Sequence, residues 1–315
     1  MINFIKLERV LALSYFFLLI IFHILILRKK LIIVCDKYGR MGNRLFLFTQ
    51  LIEFSYQNGH EIWLPGFHDY TQFFESTKDM KFIRFPLGRI NIPNPFSETS
   101  TFNAFNQIYY ILKKIGKNRL FKNINSYSPT DNDPFERISS ESAKCILFNG
   151  FIFHQYFLGL EHSYPTIKKL FKPSSQYNEL IEEPVRNLRS SSDIVVGVLI
   201  RQTDYRQWNE GKCFFTSSQY ALILTRLKKS FRDQNLSFFI ATDEQQDLST
   251  FKSLNSIIRV GFPIENLYAL ARCDILIGPS SSYIGWAALY GELPLFTIQS
   301  PDDSPKVNDF NLKKS

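Results

Sequence analysis

From residue 192 the chain alternates short apolar runs with amphipathic stretches, and few folds accept that pattern. "SDIVVGVLI" runs into Arg201, a helical pattern covers 217–232, and "LSFFIAT" comes next. A helix near 245–253, "SIIRV", a helix over 264–272, "DILIG", a helix over 281–290 and "LPLFTI" complete the series. Strands that alternate with helices imply a parallel sheet joined by right-handed crossovers. The same alternation, less regular, begins at Leu31. It predicts a strand over 31–36, a helix over 42–58 carrying Leu45, Phe46, Phe48, Leu51, Ile52 and Phe54, a strand over 61–64, and another within 143–151. Between 67 and 145 the prolines Pro86, Pro93, Pro95, Pro129 and Pro134 interrupt the pattern, and no element is assigned there.

A chain of 315 residues, 45% apolar and 21% charged, is globular and long enough for two ordinary cores. The expected class is α/β: a pair of Rossmann-like domains with parallel sheets facing across a cleft. The expected divisions are an N-terminal membrane anchor over 1–30, a first domain over 31–185, a second, nucleotide-binding domain over 186–300, and a polar tail over 301–315.

Val10 to Leu27 reads "VLALSYFFLLIIFHILIL", with Ser14 and His23 its clearly polar members besides the Tyr15 hydroxyl. At ~1.5 Å per residue this helix approaches the hydrocarbon thickness of a bilayer. The adjoining "ILRKKL" offers no small-residue cleavage site, so a single-pass anchor is expected rather than a cleaved signal. Arg28, Lys29 and Lys30 come after the span, while Lys6 and Arg9 precede it with the α-amine. That near-balance leans towards a cytoplasmic location for residues 31–315, with a lumenal, Golgi-type orientation as the eukaryotic alternative.

Net charge argues against one class of partner. The chain carries +8, but half of it lies in residues 1–30, which hold five cations and one anion. The remainder is spread too thinly for the concentrated basic face of a nucleic-acid binder. Cys35, Cys145, Cys213 and Cys273 show no CxxC spacing, so no zinc ribbon is expected, and the first, second and fourth lie in apolar surroundings that suit buried free thiols.

Four motifs sit where strands end. "GRMGNR" (39–44) is neither a Walker A loop nor GxGxxG, yet its glycines turn a strand into a helix whose N-terminus can meet an anion, with Arg40 and Arg44 beside it. An ordinary βα turn with surface arginines explains it equally well. "GVLIRQTDYRQW" (197–208) brings Arg201, Asp204, Tyr205 and Arg206 to the carboxyl end of a strand, where open parallel sheets bind ligands. Arg201 can fork onto a phosphate, and Asp204 can orient it; a structural Arg–Asp pair is the alternative. "FFIATDEQ" (238–245) ends in Thr242 and Asp243, which can also simply cap a helix. "GPSSSYIGWAALYGELP" (278–294) places Ser281 and Ser282 at a helix start, for a phosphate or for capping alone. Three such strand ends in one sheet describe a nucleotide site.

In order and spacing, "GRMGNR", "LIRQTDY", "ATDE" and "PSSSYIGWAA" resemble the motifs of the GDP-fucose-dependent fucosyltransferases: the α-1,2 and α-1,6 enzymes and the protein O-fucosyltransferases. The last segment is closest to the α-1,2 type and the first to the protein O-fucosyltransferase loop. The resemblance covers about residues 31–298. It implies a metal-independent, inverting enzyme of the two-domain GT-B type that moves fucose from GDP-fucose to a glycan hydroxyl, with no cofactor. The donor would bind the C-terminal domain and the acceptor would contact the N-terminal one. Arg201 would contact the donor phosphates and stabilise the leaving group, and Asn43 would face the same phosphates from the first domain. Arg40, Gly42, Arg44, Asp204, Thr242, Asp243, Ser281 and Ser282 would complete the donor site.

Two positions depart from the family motif: Leu199 stands where it has histidine, and Gln202 where it has a second arginine. The first leaves a different nucleotide sugar as an alternative, and non-catalytic sugar-nucleotide or glycan binding as another. For the acceptor proton, "PGFHDYTQFFE" offers His68, Asp69 and Glu75 without distinguishing among them. Asp131-Asn-Asp133 has the form of a metal-binding DxD but lies in a proline-bounded turn, so no metal site is expected.

Overall fold

The computed structural model describes residues 2–27, 29–80, 83–86, 94–115, 120–127, 133–152, 164–261 and 263–310. The chain divides into two compact units, Met1–Ser174 and Ser175–Ser315.

The first unit runs α1 (Ile2–Phe22, extended by a π-helical turn at His23–Leu27), β1 (Leu31–Val34), α2 (Met41–Asn58), β2 (Glu61–Leu64), β3 (Ile83–Phe85), α3 (Glu98–Ile115), β4 (Phe121–Ser126), α4 (Pro134–Ser140), β5 (Cys145–Gly150) and α5 (Tyr164–Leu170). Its sheet has the order β3-β2-β1-β5-β4, parallel throughout except for β2 with β3. The most apolar strands, "LIIV" and "CILFNG", take the centre and are buried along their whole length. The polar "FKNINS" takes an edge, where half-exposed positions are tolerated.

The N-terminal helix is part of this core. Ala12, Phe16, Ile20 and Ile24 recur every four residues and are buried in one cluster with Phe105, Ile108 and Leu112 of α3. The Phe16 and Phe105 rings lie 4.7 Å apart. Beyond it, Glu61 accepts hydrogen bonds from Arg84 at 2.6 Å and Trp63 at 2.8 Å, and His23 lies 3.8 Å away. The opposite face exposes Leu7, Val10, Leu11, Leu18, Phe22, Leu25 and Ile26. The segment Leu7–Ile26 is long and apolar enough to cross a membrane by length and composition.

The second unit runs α6 (Asn178–Arg189), β6 (Ile194–Ile200), α7 (Ser217–Ser230), β7 (Leu236–Thr242), β8 (Ser256–Val260), α8 (Pro263–Leu270), β9 (Ile275–Pro279), α9 (Ser282–Gly291) and β10 (Leu295–Ile298). Its sheet is wholly parallel, in the order β10-β9-β6-β7-β8. The chain winds outward from β6 to β8, then returns to the other side of β6, so the winding reverses between β6 and β9. The second sheet therefore has a topological switch point, at β6/β9.

Two details differ from the sequence expectation. The boundary expected at 185/186 falls inside α6, whose buried Ile181, Val185 and Leu188 cover the second sheet. The helix expected over 245–253 is only a 3-10 turn, Leu248–Phe251, capped by Asp247. The polar tail packs back as far as Phe310, whose buried ring lies 6.2 Å from Phe296 and 6.3 Å from Phe231. Its last five positions, 311–315, lie outside the described residues.

The end of β5 is pinched against β4. Gly150 has φ +101°, and a Cβ there would sit 1.9 Å from the Ser126 carbonyl oxygen. Gly59, which ends α2 at φ +67°, has open space around it. Gly150→Ala should cost several kcal/mol by urea denaturation, whereas Gly59→Ala should cost about 1 kcal/mol, the strain of a left-handed alanine alone. Equal losses would contradict the close approach.

Candidate functional site

The second unit's switch point gathers three of the four motifs. Arg201 leaves the carboxyl end of β6 and is held from three sides. Asp204 takes its Nε at 3.1 Å and its Nη2 at 2.8 Å, a bidentate fork. The Tyr205 ring lies 4.8 Å from its guanidinium carbon. Burial disfavours its charge, yet hydrogen bonding to Asp204 raises its pKa above the usual arginine value. The remaining nitrogen, Nη1, points across to the β9 side and lies 3.5 Å from Ser281 Oγ. Ser281 caps α9, accepting from the Tyr283 N–H at 3.2 Å, and Ser282 opens the helix beside it. Tyr205 closes the frame, donating its hydroxyl to the Ser280 carbonyl at 2.7 Å. A fixed guanidinium thus meets a helix N-terminus across the crevice, an arrangement suited to an anion such as a diphosphate.

The "ATDE" segment acts one layer further out. Asp243 accepts from the Gln202 N–H at 2.9 Å and from the Thr203 hydroxyl at 2.6 Å, tying the Arg201 loop to the end of β7. Thr242 donates to the Glu244 carbonyl at 2.8 Å and is buried. Asp204, Thr242 and Asp243, expected along the donor, are engaged in building the loop that presents Arg201. Gln202 and Leu199 are likewise interior. Gln202 donates to the Phe215 carbonyl at 2.9 Å and accepts from Gln246 at 2.9 Å. Leu199 is buried on β6 beside Gly278. Gln246 is a part of this frame that the sequence does not single out, and Tyr205, brought to the strand end with Arg201, is given no role of its own there. For Tyr205 a signal is present, an aromatic ring within "RQTDYRQW".

In the first unit the glycine loop leads from β1 into α2. Gly39 takes φ +62°, and a Cβ there would collide with the Asn43 side chain at 2.1 Å. Arg40 occupies the cap position in extended conformation, with no side-chain cap on the helix. Gly42 is buried, Asn43 is half-buried and Arg40 is exposed. Arg44 is turned away from solvent. It donates to the Gly66 carbonyl at 2.8 Å, to Asp69 Oδ2 at 2.9 Å and to the Gly39 carbonyl at 3.2 Å, and it lies 4.9 Å from the Tyr70 ring. Expected as a donor ligand, it is here the brace that holds the loop's shape.

The three candidate bases differ in their surroundings. Asp69 is clamped by Arg44 and by Lys37 at 2.9 Å, with His68 Nδ1 3.3 Å away. Burial pushes its carboxyl up, but the hydrogen bonds from Arg44 and Lys37 outweigh it and hold it below the ordinary value. Burial pushes the His68 imidazole down. Glu75 pairs with Lys78 at 2.7 Å at the surface. Of the DxD-like pair, Asp133 caps α4 by accepting from the Phe135 N–H at 2.9 Å, and Asp131 lies outside the described residues. Among the described residues no group of three or more His, Cys, Asp or Glu side chains is placed to hold a metal ion. Cys35, Cys145 and Cys273 are buried free thiols.

No family model and no curated protein matches this chain. Solved structures do. The chain is similar to a point variant of Arabidopsis thaliana FUT1 in complex with GDP, at 12% identity and TM-score 0.53, over 87% of this chain and 72% of that one. It is also similar to the NodZ α-1,6-fucosyltransferase soaked with GDP-fucose, at 15% identity and TM-score 0.54, over 90% of this chain and 97% of that one. At these identities the likeness is one of fold. The chain has the GT-B-like architecture of these fucosyltransferases, with two units built on mainly parallel sheets.

The Asp69 clamp has a pH signature. A carboxyl depressed in the folded state contributes stability that is present above its unfolded value, about 3.9, and is lost as pH falls through the folded value. Asp69→Asn should cost less than about 1 kcal/mol at pH 7, because the group is partly exposed. Urea titrations should show that deficit shrinking by pH 3. A deficit of the same size at both pH values would remove the electrostatic explanation.

Proposed function

We propose that this protein is a glycosyltransferase that moves fucose from GDP-fucose to a glycan hydroxyl, with inversion and without a metal. One observation carries the reading. Arg201, forked by Asp204 and backed by Tyr205, meets the Ser281 cap of α9 at the β6/β9 switch point. In this reading the donor diphosphate lies between the guanidinium and the helix N-terminus. Negative charge grows on the leaving GDP as the bond to the sugar breaks. A preset cation and aligned N–H groups stabilise that charge with little reorganisation. The fold shared with fucosyltransferases solved with GDP or GDP-fucose supports the choice of donor.

Leu199 favours a second reading. A buried aliphatic chain at this position of β6 offers no hydrogen bond to a nucleobase. A transferase of the same architecture using another nucleotide sugar would suit it.

Calorimetry of the full chain with GDP, UDP and CDP separates the two. The first expects GDP to bind best, with affinity reduced at least tenfold in Arg201→Ala, since a charged hydrogen bond is worth ~1.5–3 kcal/mol. EDTA should leave binding and turnover unchanged. A preference for UDP or CDP would transfer the case to the second reading.

The proposal also places the chain at a membrane through Val10–Leu27. The outer face of α1 presents contiguous large apolar side chains that nothing covers among the described residues. The inner face belongs to the core, so deleting the helix would damage the first unit. Substituting the outer face avoids this. Leu18→Glu with Leu25→Glu should abolish carbonate-resistant membrane association while leaving the thermal midpoint within a few degrees. Retained association would show that this face does not meet lipid.

A further inference from the structure

The chain has three tryptophans, and two of them belong to its core. Trp63 and Trp286 are fully buried, whereas Trp208 is 50% exposed. Trp208 stands on the loop that leaves β6 and carries Arg201, in a run from Arg206 to Glu210 that is otherwise polar and exposed.

Its ring is held in place despite that exposure. It stacks on the Tyr205 ring, with centroids 5.1 Å apart and 24° between the planes. Tyr205 is itself buried, and its hydroxyl is fixed to the Ser280 carbonyl just past β9. The Trp208 N–H donates to the carbonyl of Asp204 at 2.9 Å, the same residue whose carboxylate forks Arg201. Directly after Trp208 the chain takes three consecutive left-handed residues, Asn209 (φ +49°), Glu210 (φ +58°) and Gly211 (φ +73°). Residues with side chains rarely adopt that conformation, and it persists where the surrounding structure over-determines it. The bend returns the chain to Phe215, which is buried in the core of the second unit.

A large apolar surface that is ordered before a ligand arrives loses little entropy on meeting one. This one stands beside a preset cation. The Tyr205 ring lies 4.8 Å from the Arg201 guanidinium carbon, so two ring contacts lead from the crevice to Trp208. A diphosphate at Arg201 carries rings of that reach, a nucleobase through its ribose and a pyranose directly. Each has a flat face, π in the base and C–H in the sugar, that packs on an indole. We propose that Trp208 is the platform on which a ring joined to the donor diphosphate stacks. The proposal rests on the donor reading above and uses residues of the second unit alone. Stacking also holds a ring without the hydrogen bond that buried Leu199 cannot supply.

The test is acrylamide quenching and calorimetry of the full chain with GDP-fucose, GDP and inorganic pyrophosphate. With Trp63 and Trp286 buried, the quenchable emission belongs to Trp208. Saturating GDP-fucose should shield that emission, and pyrophosphate should leave it unchanged. Trp208→Leu keeps an apolar cover over Tyr205 and removes the flat ring. It should weaken GDP-fucose about tenfold while pyrophosphate stays within about twofold, and Trp208→Phe should recover to within about threefold of the parent. Weakening that already appears with GDP assigns the ring to the nucleobase; weakening confined to GDP-fucose assigns it to the sugar. Trp208 left unshielded by GDP-fucose, or affinities for both nucleotides unchanged in Trp208→Leu, would overturn the proposal. An equal loss of pyrophosphate would also overturn it, by making Trp208 a brace for Arg201. If the parent chain binds pyrophosphate but neither nucleotide, the choice of GDP falls, and UDP and CDP put through the same measurement decide the platform. If it binds none of these, the anion site and the platform fall together.

Discussion

A parallel sheet that winds outward in both directions from one strand leaves a crevice at that strand's carboxyl end. The second unit of this chain is built on that constraint. There β6 is flanked by β7, the next strand in the chain, and by β9, from which the chain winds outward to β10. Right-handed crossovers leave the two connections on opposite faces of the sheet, so nothing fills the space between them. The residues placed there are set by the strand ends. Arg201 and Ser281 meet because β6 and β9 are hydrogen-bonded neighbours, and Asp36 and Asn149 share a cavity because β1 and β5 are.

The arginines show how position decides role. Arg201 is fixed by a carboxylate, yet keeps one nitrogen directed to the crevice. Arg44 is consumed by the Gly66 and Gly39 carbonyls and by Asp69, and becomes architecture. Arg206 pairs with Glu244 in a surface fork. In the sequence Arg201 and Arg44 are both candidates for the donor, and Arg206 stands beside the first of them. Their separation depends on which carboxylates and carbonyls come near: Asp204 is local to Arg201, whereas Arg44 meets Gly66 and Asp69, and Arg206 meets Glu244, across long stretches of chain.

Much of the second unit is legible in the sequence because its strands are apolar runs and its turns carry Gly, Pro and Ser at their ends. The switch point depends on strand order, which the sequence pattern alone leaves open. The first unit is less readable between 67 and 145. The helix α3 escapes notice, although Thr101, Phe105, Ile108 and Leu112 lie at helical spacing, because proline-rich segments flank it. The strand β4 escapes it because "FKNINS" is polar, as an edge strand can be. Without β4 and the burial of Asn149, the cavity at the carboxyl ends of β1, β4 and β5 is out of reach. The apolar N-terminal block has the length and composition of a bilayer span. Its four-residue repeat of Ala12, Phe16, Ile20 and Ile24 has a second use, as one wall of the first unit's core.

The central claim is that the β6/β9 crevice holds a nucleotide-sugar diphosphate. A crystal structure of the full chain soaked with GDP-fucose tests it most directly. The account predicts diphosphate oxygens within hydrogen-bond distance of the Arg201 guanidinium and of the first N–H groups of α9. A nucleotide bound elsewhere, with Arg201 still facing only Asp204 and Ser281, would contradict it.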